Sequence, residues 1–456
     1  MGYHRTTRSG KQSTIAATYS LLMKPIHSTL IPFLLLAVSS LYAQDTCLFD
    51  FSNTLRSAGY TPVTAASQYN GRFGFDMGTG GRFIPGKGRQ RGAFTTDSAC
   101  YFSIAVPEGN YQVTAVLGSH QHAGATLIKA ESRRLAVNTV KTAKGETKTV
   151  SFIVNVRSPR ISSNTQVKLK PREHGKLDWD DKLTLEFSGP QPCISQLKIE
   201  KVSGQITVFL AGNSTVVDQE EEPWAAWGQM IPCFFKPGVS IANHAESGLT
   251  LGSFLNSGRL EKILSVAQRG DYLFIEFGHN DQKEKGPGDG AYYSYTERLK
   301  LFVHKAREKG VLPVIVTSTA RRSFDAAGRS QNTLGDYPDA ARKVAAAENI
   351  PLIDLNTMTT TLYDALGVEA SKKALVHYPA NTFPGQNKPL QDNTHFNTYG
   401  AYELAKCVVA GIRLNKLPLA AYLADMPNFD PAHPDDPDGF YWPLSPKRSV
   451  TKPDGN

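Results

Sequence analysis

From residue 204 onward, short apolar runs alternate with amphipathic stretches, and this alternation most limits how the chain can fold. Five runs have the length of buried strands: 206–211, 239–242, 272–277, 312–316 and 350–355. Four stretches have helical spacing: 259–268, 292–308, 340–348 and 399–414. Strands that alternate with helices form parallel sheets covered on both faces. The pattern therefore predicts an α/β domain over residues 204–420.

The preceding segment, residues 44–203, has a different period. Leu183, Leu185 and Phe187 alternate with polar residues, as in a half-buried strand. Two further strand-like runs, 99–106 and 111–117, are joined by the turn residues 107–110, which predicts a hairpin. Residues 71–92 are rich in Gly and Arg and are predicted to form a long loop. Short strands separated by turns indicate an all-β sandwich domain.

Residues 1–43 have the features of a secretory signal peptide. They contain four basic residues, no acidic residue, a short apolar run at 30–38 and a small-residue exit ending at Ala43. Met23 is an alternative start, because residues 23–43 alone carry the whole pattern. A membrane anchor is the competing interpretation, but the run is about half of the ~20 residues that a span needs. We therefore expect a secreted or periplasmic protein without a membrane segment.

Charge and cysteine content exclude several classes of function. Removing the four basic residues of the leader from the formal charge of +9 leaves +5, with both signs interspersed and no basic tract. Nucleic-acid binding is therefore not expected. The five cysteines show no metal-ligand spacing, so no metal site is implied. Two of Cys47, Cys100 and Cys193 could form a disulfide, and the sequence does not decide whether they do or which pair is bridged. Residues 421–456 are rich in Pro and Asp and are predicted to be an irregular tail.

A serine stands directly after the first predicted strand of the α/β domain, and an Asp/His pair stands near its end. Ser214 lies where ligands bind in open parallel sheets, past the carboxyl end of a strand. A serine nucleophile needs a base and a carboxylate that orients the base, and Asp392 and His395 supply both types. Taken singly, each residue is better explained by a structural role: a helix N-cap for Ser214, an N-cap or turn residue for Asp392, and a hydrogen-bonded surface imidazole for His395.

Two further strand ends carry groups that can stabilise an oxyanion. Asn280 follows the run at 272–277, and its amide can donate a hydrogen bond to the tetrahedral intermediate of ester hydrolysis. Gly248 follows the run at 239–242, and its backbone N–H is a second donor. The N–H of Ser214 is a third. All three lie at carboxyl ends of strands, as a single pocket requires.

The order and spacing of these blocks resemble the SGNH (GDSL) hydrolase family over residues 205–416. The blocks are 212–215, 243–248, 278–281 and 392–395. The resemblance implies a flavodoxin-like three-layer domain with Ser214, Asp392 and His395 as the triad. It also implies an oxyanion hole formed by Ser214, Gly248 and Asn280, with no cofactor.

Five further blocks narrow the comparison: 214–216, 227–229, 277–281, 321–322 and 392–397. With these blocks the chain looks most like rhamnogalacturonan acetylesterases, of which bacterial members often carry a galactose-binding-like domain before the catalytic one. Two positions depart from the usual pattern: Asn213 replaces an Asp, and Leu249-Thr250 replaces Arg-Ser. The resemblance implies a serine carbohydrate esterase that removes acetyl groups from a pectic polysaccharide.

Several assignments stay open at this level. Trp227, Arg321 and Arg322 are candidate substrate contacts. For Trp227 the pattern favours core packing over a sugar-stacking role, and each arginine is equally compatible with an ion pair. The sandwich either binds sugar or braces the catalytic domain. Other acyl esters, such as acetylxylan, an O-acetyl sialic acid or a lipid, would use the same triad. A carbohydrate-binding protein with an inactive esterase domain is the alternative from another class. The oligomeric state is not predicted.

Overall fold

The residues before Gly204 form two facing sheets. The computed structural model describes Gly2 and residues 46–52, 58–87 and 91–446. The predicted signal peptide, apart from Gly2, lies outside the described residues. Twelve strands precede Gly204 in this part of the chain: β1 (Thr46–Asp50), β2 (Thr61–Pro62), β3 (Phe73–Asp76), β4 (Arg82–Ile84), β5 (Ala93–Thr95), β6 (Cys100–Ala105), β7 (Gly109–Leu117), β8 (Gly124–Ala130), β9 (Arg134–Thr142), β10 (Lys148–Val156), β11 (Lys182–Ser188) and β12 (Cys193–Val202).

The two sheets enclose an aromatic core. One sheet has the order β10-β7-β12-β1-β2, with β5 also pairing with β12 and β4, and the other has the order β3-β6-β11-β8-β9. Alternate residues of β7 and β12 point inward and meet Phe102, Leu183 and Leu185 of the opposite sheet. The period-2 pattern therefore buries one face of each sheet, as a sandwich requires.

The structure corrects two predictions in this region. The runs that were predicted to form a hairpin, β6 and β7, lie in opposite sheets, because β6 pairs with β3 and β11 whereas β7 pairs with β10 and β12. A turn signal specifies a reversal of the chain and does not specify which sheet the next strand joins. The predicted loop at 71–92 contains β3 and β4, and Gly74 of β3 approaches the backbone of Gln68 so closely that a Cβ atom would lie 2.4 Å from its carbonyl carbon.

The residues after Gly204 form a parallel sheet between two layers of helices. Its strands are β13 (Ile206–Gly212), β14 (Val239–Asn243), β15 (Tyr272–Glu276), β16 (Leu312–Val316) and β17 (Leu352–Ile353), in the order β14-β13-β15-β16-β17. This order places the second strand before the first, which is the flavodoxin-like arrangement. An antiparallel pair follows, β18 (Leu375–Tyr378) and β19 (Leu390–Phe396).

The helices of this domain are α1 (Trp227–Met230), α2 (Leu251–Asn256), α3 (Arg259–Val266), α4 (Thr296–Lys309), α5 (Tyr337–Ala347), α6 (Leu355–Ala370) and α7 (Thr398–Leu414). Val208 and Leu210 of β13 face the layer that contains α1, α6 and α7. Phe209 and Ala211 face the layer that contains α2 to α5. A strand that is buried on both faces reads as a continuous apolar run, which explains the sequence pattern. The mixed α/β fold with a β-rich N-terminal region is thereby confirmed.

The chain passes from the sandwich into the parallel sheet through three residues, between Val202 and Ile206. The described residues from Thr46 onward form one compact unit. The predicted irregular tail, residues 421–456, is described as far as residue 446; a turn of 3-10 helix at Pro418–Tyr422 leads into it, and it contains a second such turn at Pro437–Gly439. Ser445 of this tail is fully buried and donates to Glu186 at 2.7 Å. No helix among the described residues is both long enough and apolar enough to cross a bilayer.

Candidate active site

Ser214 lies in a tight turn at the carboxyl end of β13. The carbonyl oxygen of Asn213 accepts hydrogen bonds from the N–H groups of Val216 and Val217, both at 3.0 Å. Gly212 is required here, because a Cβ atom at this position would lie 2.5 Å from Cγ2 of Val216. The turn holds the Ser214 side chain, which is 3% exposed, at the edge of the sheet.

The structure brings Ser214, His395 and Asp392 into one hydrogen-bonded chain. Ser214 Oγ lies 2.8 Å from His395 Nε2, and His395 Nδ1 lies 2.9 Å from Asp392 Oδ2. Burial raises the pKa of Asp392, but the hydrogen bond and the charge of His395 outweigh burial and hold the pKa well below its usual value. Since an ionised carboxylate only accepts, His395 Nδ1 carries the proton. His395 Nε2 is then free to accept the proton of the Ser214 hydroxyl.

Asp392 and His395 lie in an outward bulge of β19 and not in a simple turn. The register passes from the pair Leu375/Phe396 to the pair His377/Gln391, so four residues of β19 oppose the single residue Val376. Asp392 Oδ1 closes this bulge by accepting from the N–H groups of Thr394 and His395, at 2.8 and 3.0 Å. One carboxylate therefore shapes the backbone and also contacts the imidazole.

Three groups that were predicted as oxyanion donors lie at neighbouring strand ends. The Asn213 carbonyl is fixed by its two hydrogen bonds, so the N–H on the other side of this planar peptide, that of Ser214, points the opposite way. Gly248 has φ of +77°, the left-handed region that glycine adopts without strain. Asn280 Nδ2 donates to the carbonyl oxygen of Leu249 at 3.2 Å, which places this amide beside the Gly248 turn.

Asp281 holds the turn that carries Asn280, a role that the sequence did not indicate. Its two carboxylate oxygens accept from the N–H groups of Leu251 and Gly278, at 2.8 and 2.9 Å. Burial raises the pKa of Asp281 to about 7, although both N–H donors act in the opposite direction. The only sequence signal was an acidic residue within one turn of a strand end, and many surface turns share that signal.

Trp227 does not face the site, which corrects its assignment as a candidate substrate contact. The side chain is 1% exposed, and its Nε1 donates to Glu276 Oε2 beneath the nucleophile turn. Thr215 Oγ1 donates to the other oxygen of Glu276 at 2.7 Å. The indole is buried because α1 packs on the sheet, and its polar atom is matched to a buried carboxyl.

The two candidate arginines differ in their surroundings. Arg322 is committed to protein acceptors: its Nε donates to Ser371 at 3.0 Å, NH1 to the Asn393 side chain at 3.1 Å, and NH2 to the carbonyl of Val368. Its backbone N–H also donates to Asn393, at 2.8 Å. Arg322 therefore ties the bulge of β19 to α6 through neutral acceptors. Because Nε, NH1 and NH2 each donate to a protein acceptor, the guanidinium is not arranged for a bidentate contact with a sugar carboxylate.

Arg321 is half-buried beside the triad, where NH2 donates to the carbonyl oxygen of His279 at 3.2 Å. Burial lowers the pKa of Arg321, and the nearby Asp392 acts in the opposite direction. His279 and His244 are both almost fully buried, and burial and neighbouring cations keep their pKa values well below the usual range. Their burial agrees with a structural role. The guanidinium of Arg321 also donates to the side-chain oxygen of Gln282, from NH2 at 2.8 Å and from NH1 at 2.5 Å, so it is held by the protein as well, and its contact with substrate stays a prediction.

The side chains of the described residues show no cluster of three or more His, Cys, Asp or Glu with the arrangement of a metal site. All five cysteines lie in the described ranges and are free thiols: Cys47, Cys100, Cys193, Cys233 and Cys407. The disulfide that the sequence allowed between two of Cys47, Cys100 and Cys193 is therefore not formed in this structure.

Comparison with known proteins places the site in context. The model of the GDSL-like lipase/acylhydrolase family matches residues 210–401. The chain is 46% identical over 220 residues to the rhamnogalacturonan acetylesterase RhgT from Bacillus subtilis, a match that covers 48% of this chain and 94% of that protein. It is 33% identical over 215 residues to the probable rhamnogalacturonan acetylesterase YesY from the same organism, covering 46% and 94%. A crystal structure of the Bacillus subtilis protein YxiM is similar, with 23% identity, a TM-score of 0.44, and coverage of 82% of this chain and 99% of that chain.

Proposed function

The chain belongs to the GDSL-like lipase and acylhydrolase family and is a serine ester hydrolase, and on that premise we propose that it removes O-acetyl groups from rhamnogalacturonan, a pectic polysaccharide. The relatives named as acetylesterases support the broader assignment, a carbohydrate acetylesterase. The observation that carries the proposed mechanism is the hydrogen-bonded chain from Ser214 through His395 to Asp392.

In the proposed acylation step, Ser214 Oγ attacks the acetyl carbonyl carbon and His395 Nε2 takes the hydroxyl proton. Asp392 holds the imidazole in the required tautomer and stabilises its positive charge. The carbonyl oxygen becomes an oxyanion, which the N–H groups of Ser214 and Gly248 and the amide of Asn280 stabilise. The loss of one such donor raises the barrier by roughly 3 to 4 kcal/mol.

The tetrahedral intermediate then collapses to an acetyl-enzyme. The bond between the acetyl carbon and the sugar oxygen breaks, and His395 returns its proton to that oxygen. In the second half of the cycle water takes the place of the Ser214 hydroxyl, gives its proton to His395 and attacks the acetyl-enzyme. Acetate leaves, Ser214 recovers its proton, and no cofactor enters the balance.

The pectic substrate is supported by the names of the relatives and by the charge of the chain. The predicted mature chain has a formal charge of +5, which favours association with a galacturonate-containing polyanion. Arg321, beside Asp392, is the candidate for contact with a galacturonate carboxylate. We further propose that the enzyme acts outside the cytoplasm, secreted or periplasmic, because the polymer cannot enter the cell intact and residues 1–43 resemble a signal peptide.

The test compares acetate release by the purified mature protein from acetylated rhamnogalacturonan, acetylated xylan and 4-nitrophenyl acetate. The Ser214→Ala variant serves as the blank. We expect the highest kcat/KM on the pectic polymer. Serine-dependent release from xylan or the aryl ester but not from the pectic polymer would contradict the pectic substrate while leaving the esterase assignment intact. Absence of serine-dependent release from all three would favour the inactive carbohydrate-binding alternative.

A further inference from the structure

Side chains from the sandwich hold the loop that carries Gly248. The connection between β10 and β11 spans residues 157–181 and lies against this loop of the α/β domain. Lys170 Nζ donates to the carbonyl oxygen of Ser247 at 2.7 Å, and Arg172 NH2 donates to the same oxygen at 3.3 Å. Arg172 also pairs with the side chain of Glu246. Two cations of the sandwich domain therefore donate to one carbonyl oxygen of the α/β domain, that of Ser247.

That carbonyl belongs to the same peptide unit as the N–H of Gly248. A trans peptide is planar, and its C=O and N–H point in opposite directions. Fixing the Ser247 oxygen therefore fixes the direction of the Gly248 N–H. The Ser214 N–H is oriented in the same way, but there the carbonyl on the far side, that of Asn213, is held by two backbone N–H groups of its own turn.

The charge of the two cations also acts on this peptide. A hydrogen bond from an ionised donor is stronger than one from a neutral donor, and hydrogen bonds in series polarise one another. Lys170 and Arg172 therefore draw electron density toward the Ser247 oxygen and make the Gly248 N–H a better donor to a developing negative charge. Within the described ranges, the donors to the Asn213 carbonyl are two neutral backbone N–H groups, those of Val216 and Val217.

The connection that carries the two cations is itself anchored. Glu173 accepts from Arg259 NH2 with both carboxylate oxygens, each at 2.6 Å, and both side chains are almost fully buried. Arg259 NH1 continues to the carbonyl of His244 at 3.1 Å, on the same loop as Gly248. The N–H of Lys168 donates to Ser257 at 2.9 Å. Substitution of a half-exposed cation at 170 or 172 should therefore leave the connection in place.

We propose that Lys170 and Arg172 are positioning residues of the oxyanion hole, supplied by the sandwich to orient and polarise the peptide that carries the Gly248 N–H. This inference rests on the proposed function, because it takes the Gly248 N–H as an oxyanion donor. It gives the sandwich a part in the chemistry, as a component that completes the catalytic site.

The test measures kcat and KM for 4-nitrophenyl acetate in Lys170→Met, Arg172→Met and the double variant. We expect each single change to lower kcat roughly 10-fold, and the double change to lower it further, with KM within about twofold, because the oxyanion forms only in the transition state. Lys168→Met is the matched control, an exposed lysine of the same connection, and should retain wild-type kcat. Lys170→Arg should recover most of the lost activity.

A second readout separates positioning from a general structural role. A phenylboronic acid forms a tetrahedral anionic adduct with the active serine, so its affinity should fall in parallel with kcat, whereas the thermal unfolding midpoint should stay near that of the wild type. Wild-type values of kcat and boronate affinity in the double variant would overturn the inference, as would a loss of activity that matches a loss of folded protein. If the wild type itself shows no Ser214-dependent turnover, the proposed function fails instead.

Discussion

The buried carboxyl of Glu276, beneath the nucleophile turn, makes the stability of the protein depend on pH. It lies beneath Ser214, accepts from Trp227 and Thr215, and is 1% exposed. Burial raises its pKa from the ordinary value of 4.5 to about 7, although both hydrogen bonds act in the opposite direction. A raised carboxyl pKa means that the folded state binds the proton more tightly than the unfolded state. Stability therefore falls as the pH rises through this range.

We predict that the free energy of unfolding of the wild type falls, relative to Glu276→Gln, as pH rises from about 4.5 to about 7. This pKa difference corresponds to about 3 kcal/mol, and the two proteins should change in parallel outside this window. Glutamine fits the site because its oxygen can accept from Trp227 while its amide donates to Thr215. Urea unfolding at several pH values measures the effect. Glu297→Gln, on the exposed face of α4, is the control, and a pH-independent difference between wild type and Glu276→Gln would contradict the prediction.

Among the secondary-structure elements, the strands of the parallel sheet were predicted well and the surroundings of the triad less well. Strands buried on both faces leave a simple apolar run, so β13 to β16 lie within one residue of their predicted bounds. Helix α6 and strand β18 were not identified. Pairing between β18 and β19 brings together residues that are distant in sequence. The bulge at 392–395 has no sequence pattern of its own except Asp392, whose side chain accepts from the N–H groups of Thr394 and His395.

Ser214, Gly248 and Asn280 were predicted from strand ends, because parallel strands place their carboxyl ends along one edge. Asp392 and His395 were predicted from the base and the carboxylate that a serine nucleophile needs and from the resemblance to the SGNH family. Neither argument could find Lys170 or Arg172, which reach the site from another domain, nor separate Arg321, beside the triad, from Arg322, which braces the bulge. Sequence spacing carries no information about contacts between chain segments that meet only after folding.

A buried ionic cluster joins the sandwich to the α/β domain. Arg134 lies between Asp218 and Asp178, at 2.9 and 3.3 Å, and Arg157 contacts the same two carboxylates at 3.6 and 3.5 Å, respectively. Asp218 also accepts from Asn243 at 2.8 Å. All four charged side chains are almost fully buried, so each charge depends on its partners in place of water.

We predict that Arg134→Met lowers the free energy of unfolding by about 3 to 5 kcal/mol, because it leaves buried carboxylates with fewer partners. Adding Asp218→Asn should cost less than the sum of the two single changes, since the second change removes one of the uncompensated charges. Chemical unfolding followed by fluorescence and circular dichroism should also show one transition, with both domains unfolding together. A loss below about 0.5 kcal/mol, comparable to that of a surface substitution, would contradict the role assigned to the cluster.

If Ser214 and His395 act as one catalytic unit, a double-variant cycle should show it. The cycle compares kcat for 4-nitrophenyl acetate in Ser214→Ala, His395→Ala and the double variant, each confirmed to be folded. Residues that act as a unit are not additive, so we predict that each single change lowers kcat by at least about 10³-fold and that the double change lowers it no further. Losses that add in the double variant, or a single change that costs less than tenfold, would show that the two residues do not act as a unit.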